Sequence, residues 1–348
     1  MENISKYVVD ANIYLADAVT LMSKNLHKGL VIVEHEKVIG VFTRHDLVKS
    51  IHSFGMQSIP LKNFINYDFF YFKETINQDI MMESKMTLIP VLHKDHSLKD
   101  IVFPKNKYQY QNYAYPVVIM AGGFGTRLYP YTKILPKPLV PVNGTPMVEL
   151  IIDRFYQKGT YNFYLVVNHK KEMIKTYFNT LQKEYNVYFA EEVEQLGTGG
   201  GLYLVKETLK EPFFLTNCDI LLLEDYDEIY EFHKKSGNVV TMVVSVKSIN
   251  VPYGVIDVDT NQVIQKFNEK PTYGMLVNTG IYVVEPTVFE YLNIEEKIDF
   301  PKLLQRMMKN GEKVGVYPIT EDKWLDMGQV EELNHSKLVL KKIIENKR

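Results

Sequence analysis

The sequence predicts an α/β protein in which a mostly parallel sheet is covered by helices and is preceded by a smaller α+β domain. After residue 116, dense apolar runs such as PVVIMA, FYLVVN and PFFLTNCD alternate with helical segments, which is typical of buried strands in a parallel sheet. Before residue 104, the apolar runs are shorter and lie close together along the chain, which favours β-hairpins. We therefore expect two parts with different strand patterns.

Two similar hairpins are predicted in the first hundred residues. The runs LVIVE (30–34) and VIGVF (38–42) are separated only by HEK, and a link this short predicts an antiparallel pair. The runs MTLIPVL (86–92) and SLKDIVF (97–103) repeat the pattern around the polar turn HKDH. Such a repeat predicts two similar units that pack against each other. Patterns compatible with helices occur over 16–26, 46–54, 74–85 and 330–348.

The first repeated unit ends in the motif G-x-x-T-x-x-D, formed by Gly40, Thr43 and Asp46. The second repeat, over 86–103, lacks this motif, because Asp100 stands where the glycine would be. The two units resemble a tandem pair of CBS domains, a small regulatory module that often binds adenine nucleotides. The resemblance implies an adenine nucleotide as ligand, with Thr43 and Asp46 as candidate contacts. The alternative is a structural or dimerising pair, which the degenerate second unit favours.

The stretch PKNKYQYQNYAYP (104–116) is polar, rich in tyrosine and flanked by prolines. It has no apolar periodicity and therefore predicts a linker. We expect a first domain over 1–110, a linker over 111–116 and a second domain over 117–348.

The composition excludes several classes of protein. The 348 residues include 40 basic and 42 acidic side chains, and this balance argues against a nucleic-acid binder held by a basic surface. The single cysteine, Cys218, excludes an internal disulfide and a thiolate metal cluster. No apolar run approaches the ~20 residues that span a bilayer, and the first residues do not resemble a signal peptide. We therefore expect a cytoplasmic protein that binds neither nucleic acid nor membrane.

A glycine-rich segment, AGGFGTRLYPYTKILPKPLVPV (121–142), follows the predicted strand PVVIM. Exposed backbone in such a turn lets N–H groups approach phosphate oxygens closely. The segment is not a P-loop, because G-x-x-x-x-G-K-[ST] is absent, and Leu128 replaces the third glycine of a dinucleotide fingerprint. Arg127 and Lys137, the latter between two prolines, supply two cations. Together these groups suit a polyphosphate, whereas either cation alone is compatible with an exposed salt bridge.

Two aspartates are candidate metal ligands. Asp219 follows the apolar run FFLT, so we expect its carboxylate at the carboxyl end of a strand, where open α/β sheets bind ligands. Asp326 lies far away in sequence and shortly before a glycine. Two carboxylates that converge from different elements, with phosphate oxygens and water, form a usual Mg²⁺ site. The alternative for each aspartate is a helix N-cap.

Several motifs of the second part match one family. The chain contains G-G-x-G-T-R-L-x-P-x-T and then P-K-P-L-x-P-V, followed by LGTGG (196–200), TNCD (216–219), EKP (269–271), NTGIY (278–282) and WLDMGQVEEL (324–333). These motifs resemble those of the sugar-1-phosphate nucleotidylyltransferases. The resemblance implies a Rossmann-like (GT-A-like) sheet, Mg²⁺ as cofactor, and attack of a sugar-1-phosphate on the α-phosphorus of a nucleoside triphosphate. The products would be a nucleotide-sugar and pyrophosphate.

The resemblance also implies roles for individual residues. Arg127 would contact the β- and γ-phosphates, and Lys137 would bridge the α-phosphate and the sugar phosphate. Asp219 and Asp326 would hold Mg²⁺. The implied nucleotide-binding residues are Ala121, Gly122, Gly123, Gly125, Thr126, Glu192, Gly197, Thr198 and Gly199. The implied sugar-phosphate-binding residues are Gly254, Glu269, Lys270, Asn278 and Thr279, for which simple turn chemistry is the alternative.

Base and sugar specificity are predicted from the loop type and the domain order. The LGTGG loop with its leading pair of glutamates (191–192) looks most like guanylyltransferases. The fusion to a CBS pair resembles one subgroup, the glucosamine-1-phosphate guanylyltransferases of bacterial legionaminate biosynthesis. GTP and glucosamine-1-phosphate are therefore the favoured substrates, and we expect a homo-oligomer. The alternatives are UTP, CTP or dTTP with another hexose- or heptose-1-phosphate, and a non-catalytic sensor of nucleotide-sugars.

Overall fold

The computed structural model describes residues 4–25, 29–43, 46–47, 50, 60–83, 86–104 and 114–345. The chain forms two compact units, of which the first comprises Met1–Gln109 with Ser245–Val277 and the second comprises Tyr110–Val244 with Asn278–Arg348. Half of the predicted linker over 111–116 and most of the helix predicted over 46–54 lie outside the described residues. Among those that are described, no helix is both long and apolar enough to cross a bilayer.

The elements are numbered in chain order. The strands are β1 (Val8–Asp10), β2 (Gly29–Glu34), β3 (Lys37–Thr43), β4 (Phe72–Lys73), β5 (Ile89–Leu92), β6 (Leu98–Val102), β7 (Val117–Met120), β8 (Pro141–Val142), β9 (Thr145–Pro146), β10 (Asn162–Val167), β11 (Asn186–Glu191), β12 (Phe213–Asn217), β13 (Ile220–Leu222), β14 (Val240–Asn250), β15 (Val255–Val258), β16 (Ile264–Asn268), β17 (Thr272–Val284), β18 (Val314–Thr320) and β19 (Trp324–Asp326). The helices are α1 (Leu15–Lys24), α2 (Gln78–Glu83), α3 (Tyr131–Ile134), α4 (Met147–Tyr156), α5 (Lys171–Thr180), α6 (Gly197–Gly200), α7 (Tyr226–Ser236), α8 (Phe300–Lys309) and α9 (Val330–Glu345).

Both predicted hairpins are present in the first unit. β2 and β3 pair antiparallel, with Val31 opposite Val41, and β1 joins them as a parallel strand. β5 and β6 pair antiparallel in a second sheet, in which β4 lies parallel to β5. Each sheet therefore combines a parallel strand with a hairpin, as the sequence repeat predicts.

The candidate CBS ligands Thr43 and Asp46 contact each other at the end of β3. The backbone N–H and the hydroxyl of Thr43 donate to Asp46 Oδ2 at 2.9 and 2.7 Å. Such a side-chain contact stabilises a turn, so both residues have a structural role. Binding of an adenine nucleotide by these residues stays a prediction.

The helix predicted over 16–26 is α1, and it ends earlier than the apolar spacing suggests. Its apolar face, which includes Ala18 and Met22, is buried as expected. The helix stops at Asn25, whose backbone is extended and whose side-chain amide donates to the Lys6 carbonyl at 2.9 Å. This contact is not visible in the spacing of apolar residues. The patterns over 74–85 and 330–348 correspond to α2 and α9.

The segment Ser245–Val277 belongs to the first unit. β14 begins in the second unit and ends in the first. The β15–β16 hairpin follows in the first unit, and the chain re-enters the second unit along β17. Val246 of β14 is buried in the apolar cluster that contains Leu30 and Phe42. The sequence predicts a domain over 117–348 that includes this segment. The structure differs because the burial of Val246 depends on residues distant in the chain, which local periodicity does not reveal.

The second unit is built on a seven-stranded sheet with the order β11-β10-β7-β12-β17-β14-β18. β11, β10, β7 and β12 are parallel neighbours, and β17 is antiparallel to β12. Alternate residues of β7 enter different apolar clusters, because Val117 and Ile119 pack with residues of α4 whereas Val118 and Met120 pack with residues of α8. Helices therefore cover both faces, and the prediction of a mostly parallel, doubly covered sheet is confirmed.

Candidate active site

The strands of the second unit bring the two candidate metal ligands together. Asp219 lies just after β12, and the next strand, β13, pairs antiparallel with β19. In that pairing Ile220 lies opposite Asp326, and the Met327 N–H donates to the Asp219 carbonyl at 2.8 Å. Neither aspartate is a helix N-cap, because Asp219 lies in the turn between two strands and Asp326 ends β19.

Both carboxylates approach Gly328. The Gly328 N–H donates to Asp326 Oδ1 at 2.7 Å. A Cβ atom on Gly328 would overlap Asp219 Oδ2 and would lie 3.0 Å from Asp326 Oδ1. Glycine therefore leaves the space that the two carboxylates occupy.

A cavity of about 260 Å³ in the second unit contains these aspartates in its wall. Six predicted site residues line it: Arg127, Thr198, Asp219, Asn278, Thr279 and Asp326. The wall also includes Asn217, Tyr282, Phe300 and Trp324, which sequence reasoning did not single out. Asn217 and Trp324 lie inside the TNCD and WLDMGQVEEL motifs, so a residue-by-residue reading of those motifs could have found them.

The Asp219 carboxylate is buried and forms an ion pair with Lys137. Lys137 Nζ lies 2.6 Å from Asp219 Oδ2, whereas Asp219 Oδ1 is buried without a hydrogen-bond partner. Burial lowers the pKa of Lys137, but the adjacent Cys218 and Asp219 outweigh burial and raise it, so the lysine stays charged. Burial raises the pKa of Asp326, and the Asp219 carboxylate adds to the increase. The site therefore combines two close carboxylates with one largely buried cation.

These features fit a divalent cation. The unpartnered Asp219 Oδ1 is a buried acceptor, and such an atom is costly unless a donor or a cation satisfies it. Within the part of the chain that the structure describes, no group of three or more His, Cys, Asp or Glu is arranged to hold a metal. Mg²⁺ is usually bound by one or two carboxylates, with water and substrate phosphates as the other ligands. Asp219 and Asp326 have the chemistry of that carboxylate pair.

The glycine-rich segment folds back on itself and places Lys137 beside Gly125. Gly125 has a φ of 68°, and a Cβ atom there would lie 2.8 Å from both Lys137 Cβ and Thr132 Cγ2. The Thr132 hydroxyl donates to the Gly125 carbonyl at 2.9 Å. Arg127 and its neighbour Thr126 are exposed on a short 3₁₀ helix. The segment thus holds Lys137, largely buried, against the Asp219 carboxylate and places Arg127 at the cavity wall.

Two predicted nucleotide-binding residues, Gly122 and Glu192, are in contact. A Cβ atom on Gly122 would lie 2.6 Å from Glu192 Oε2, and one on Gly201 would lie 2.6 Å from Glu192 Oε1. The Leu196 N–H donates to Glu192 Oε1 at 3.2 Å, and burial raises the pKa of Glu192. Gly123, in contrast, has open space where a side chain would lie. Glycine at two positions therefore makes room for this buried carboxyl.

Two predicted nucleotide-binding residues, Ala121 and Gly199, use their backbone N–H groups within the protein. The Ala121 N–H donates to a carbonyl of β10 at 2.8 Å, and the Gly199 N–H donates to the Ile298 carbonyl at 2.9 Å. A Cβ atom on Gly200 would overlap the Glu296 carbonyl oxygen. The glycines of LGTGG therefore allow close packing against the chain before α8. Gly197 takes part in this packing, because a Cβ atom there would lie 2.8 Å from the Ile298 carbonyl oxygen.

The predicted sugar-site residues Asn278 and Thr279 are engaged in hydrogen bonds of their own. Asn278 Oδ1 accepts from the Gly280 N–H at 2.9 Å, and Asn278 Nδ2 donates to the Tyr282 hydroxyl at 2.6 Å. The Thr279 hydroxyl is buried and donates to the Val243 carbonyl at 2.8 Å. Turn chemistry therefore accounts for part of this motif. Among the contacts described, the Asn278 amide uses one of its two hydrogens, so the other could serve a ligand in the cavity.

The other sugar-site residues, Gly254, Glu269 and Lys270, lie in the first unit around the β15–β16 hairpin. A Cβ atom on Gly254 would lie 3.0 Å from Glu269 Oε2 and 2.7 Å from Phe267 Cζ. Lys270 has a φ of 46°, which places its backbone in the left-handed region. The hairpin thus brings Gly254 and Glu269 together, although they are separated along the chain.

Known protein families match both parts of the chain. The nucleotidyl transferase family profile matches residues 116–342, and the CBS domain profile matches residues 4–53. The chain belongs to the nucleotidyl transferase family. Among solved structures, this family member is similar to HddC from Yersinia pseudotuberculosis, with a TM-score of 0.50 and 24% identity over 64% of this chain and 98% of that one. It is also similar to a putative glucose-1-phosphate thymidylyltransferase from Bacillus anthracis, with a TM-score of 0.51 and 20% identity over 64% and 94%. At these identities the likeness shows the fold.

Curated relatives of this nucleotidyl transferase are more similar in sequence. Mannose-1-phosphate guanyltransferase 2 of Candida glabrata is 35% identical over 225 residues, which cover 61% of each chain. Mannose-1-phosphate guanyltransferase of Saccharomyces cerevisiae is 34% identical over 226 residues, again 61% of each chain. The chain therefore spans about three-fifths of the length of the curated relatives it matches.

Proposed function

We propose that this chain transfers a guanylyl group from GTP to a sugar-1-phosphate and releases pyrophosphate. The observation that carries the proposal is the cavity at which Asp219 and Asp326 meet, with Lys137 paired to Asp219 and Arg127 in the wall. This arrangement of carboxylates and cations suits a metal–triphosphate complex. The names of the relatives at 34–35% identity support GTP as the donor.

The reaction can proceed without a general base. A phosphate monoester is already largely ionised at neutral pH, so its oxygen can attack directly. That oxygen forms a bond to the α-phosphorus, and the bond between the α-phosphorus and the bridging oxygen breaks, so pyrophosphate leaves with the electron pair. The thiol of Cys218 is buried, and burial raises its pKa to about 12, which makes it a structural residue and not a nucleophile. Catalysis then depends on positioning and charge neutralisation.

Lys137 and three residues of the cavity wall would have separate roles in this reaction. Lys137 would contact the α-phosphate and the sugar phosphate, and Arg127 would contact the β- and γ-phosphates of GTP. Asp219 and Asp326 would hold Mg²⁺, which when bound supplies further positive charge for the phosphate oxygens. The lysine already neutralises part of the carboxylate charge in the protein itself. Moving Lys137 from Asp219 toward a phosphate would free a carboxylate oxygen for the metal.

For the acceptor, we propose glucosamine-1-phosphate, because the order of an N-terminal CBS domain and a nucleotidyl transferase domain resembles that of the glucosamine-1-phosphate guanylyltransferases. The CBS match over residues 4–53 supports the domain order. Mannose-1-phosphate is the second candidate, because it is the substrate named for the relatives. The two acceptors differ at C2, both in the substituent and in its configuration, so an assay of turnover with each sugar-1-phosphate separates them.

The test is pyrophosphate release by the full chain with Mg²⁺, measured for GTP, ATP, UTP, CTP and dTTP against several sugar-1-phosphates. We expect GTP with glucosamine-1-phosphate to give the highest kcat/KM. Turnover with mannose-1-phosphate instead would replace the acceptor and leave the reaction class intact. No turnover with any pair, while nucleotide-sugars bind, would overturn the proposal in favour of a sensor.

Gly328→Ala tests whether the carboxylate pair is needed as it stands. The added methyl group would overlap Asp219 Oδ2, so the carboxylate must move. We expect kcat to fall by about 10- to 100-fold, because small displacements at a reacting centre are costly. Gly311→Ala is the control, because nothing lies within 4 Å of the added atom; its φ of 87° adds backbone strain that Gly328→Ala does not have, so the control does not understate the cost of the alanine itself. Equal activities of the two variants would show that the position of the Asp219 carboxylate is unimportant.

A further inference from the structure

Lys170, which no motif identified, donates to three consecutive backbone carbonyls of the glycine-rich segment. Its Nζ atom lies 2.9 Å from the Thr132 carbonyl, 2.9 Å from the Lys133 carbonyl and 3.0 Å from the Ile134 carbonyl. These carbonyls belong to the end of α3, where backbone acceptors have no partner within the helix. An ammonium group has three donors, so the three contacts use all of them.

The contact joins two separate elements of the second unit. Lys170 lies just before α5 and after β10, whereas α3 lies between Arg127 and Lys137 in the segment 121–142. Lys170 itself has a φ of 53°, in the left-handed region that side-chain-bearing residues rarely adopt. Contacts around Lys170 must therefore stabilise this backbone conformation, and the described contacts there include the three hydrogen bonds of its ammonium group.

Neighbouring residues attach to the same segment. His169 N–H approaches the Gly122 carbonyl at 3.5 Å, and the His169 ring packs edge-to-face on Phe124 with centroids 4.8 Å apart. Thr132, whose carbonyl Lys170 binds, also bonds the Gly125 carbonyl through its hydroxyl. The chain from Gly122 to Ile134 is thus attached at its beginning and at its end to residues 169–170.

We propose that Lys170 is a positioning residue that holds the glycine-rich segment in the conformation that presents Arg127 and Lys137. Lys170 lies outside the cavity wall, and its ammonium group is fully used by the protein, so it acts through the segment and not on a substrate. The expected effect of losing Lys170 on turnover rests on the proposed function. The expected effect on the backbone conformation of the glycine-rich segment does not.

The experiment compares Lys170→Met, Lys170→Arg and Lys171→Met in the full chain. Methionine keeps the length of the side chain and removes its donors, whereas arginine keeps several donors. Lys171 is the matched control, because its Nζ pairs with Glu191 at 2.8 Å and no hydrogen bond from its side chain to the segment is among the contacts described. Amide hydrogen exchange is measured for peptides that cover 125–137 and, as a reference, for peptides of α4.

We expect Lys170→Met to speed exchange in 125–137 by at least about tenfold while α4 keeps its protection, and Lys170→Arg to restore most of the protection. We also expect kcat to fall by about tenfold or more, with KM changed by much less. Unchanged exchange in 125–137, or an equal increase in α4, would overturn the proposal, because the lysine would then be dispensable or only globally stabilising. An inactive wild-type protein would refute the proposed function, and the exchange result would still decide the role of Lys170.

Discussion

Lys137→Met is expected to lower kcat by at least about 10²-fold without unfolding the protein. The lysine is held between two prolines, beside Gly125 and within 2.6 Å of Asp219, so its charge has a fixed position. A preorganised cation of this kind is worth most where charge develops in the transition state. The measurement is pyrophosphate release at saturating GTP and sugar-1-phosphate, with thermal unfolding as a check on the fold.

Lys133→Met is the matched control for that substitution. Lys133 lies in α3 of the same segment and is exposed, and its backbone carbonyl, which Lys170 binds, is unaffected by the change. We expect kcat within about twofold of the wild-type value. A Lys137→Met enzyme as active as the Lys133→Met enzyme would show that the buried cation only compensates the charge of Asp219.

The second large effect is expected for Asp219→Asn. The substitution keeps the shape of the side chain but removes the charge that would bind Mg²⁺ and that pairs with Lys137. We expect kcat to fall by about 10²- to 10³-fold, and the Mg²⁺ concentration for half-maximal rate to rise by at least about tenfold. A titration of pyrophosphate release with Mg²⁺ measures both quantities.

The control for this substitution is Asp322→Asn. Asp322 lies shortly before β19, close in sequence to Asp326, but it pairs only with the neighbouring Lys323 among the described ion pairs. Its activity and Mg²⁺ dependence should match those of the wild-type protein. If Asp219→Asn behaved in the same way, the carboxylate pair would be a structural feature and another part of the cavity would bind the metal.

Local features of the fold and the site were predictable because the residues that form them are close together in the sequence. The short link HEK determines the β2–β3 hairpin, and apolar runs separated by helical patterns determine a doubly covered sheet. Gly125 and Lys137 belong to one segment, so their proximity also follows from a turn that local sequence encodes. For such features the interacting groups are close along the chain.

The hydrogen-bond partners of individual backbone groups were not predictable from the sequence. Ala121 and Gly199 are predicted nucleotide-binding residues, and the structure shows that the backbone N–H of each donates to a carbonyl in another part of the fold. The glycines of LGTGG indicate close approach of backbone to something, and the sequence does not say whether that is a nucleotide or another segment. Here it is the chain around Ile298.

The sequence by itself determined the family, the order of the strands along the chain and the types of residue that carry the chemistry. Only the tertiary structure decided that Asp326 lies beside Asp219, that Val246 is buried with Leu30 and that Lys170 binds the end of α3. The physical reason is that each of these contacts joins elements far apart in sequence. Such contacts depend on strand pairing and packing across the whole chain, whereas motifs and periodicity report only on residues that are neighbours.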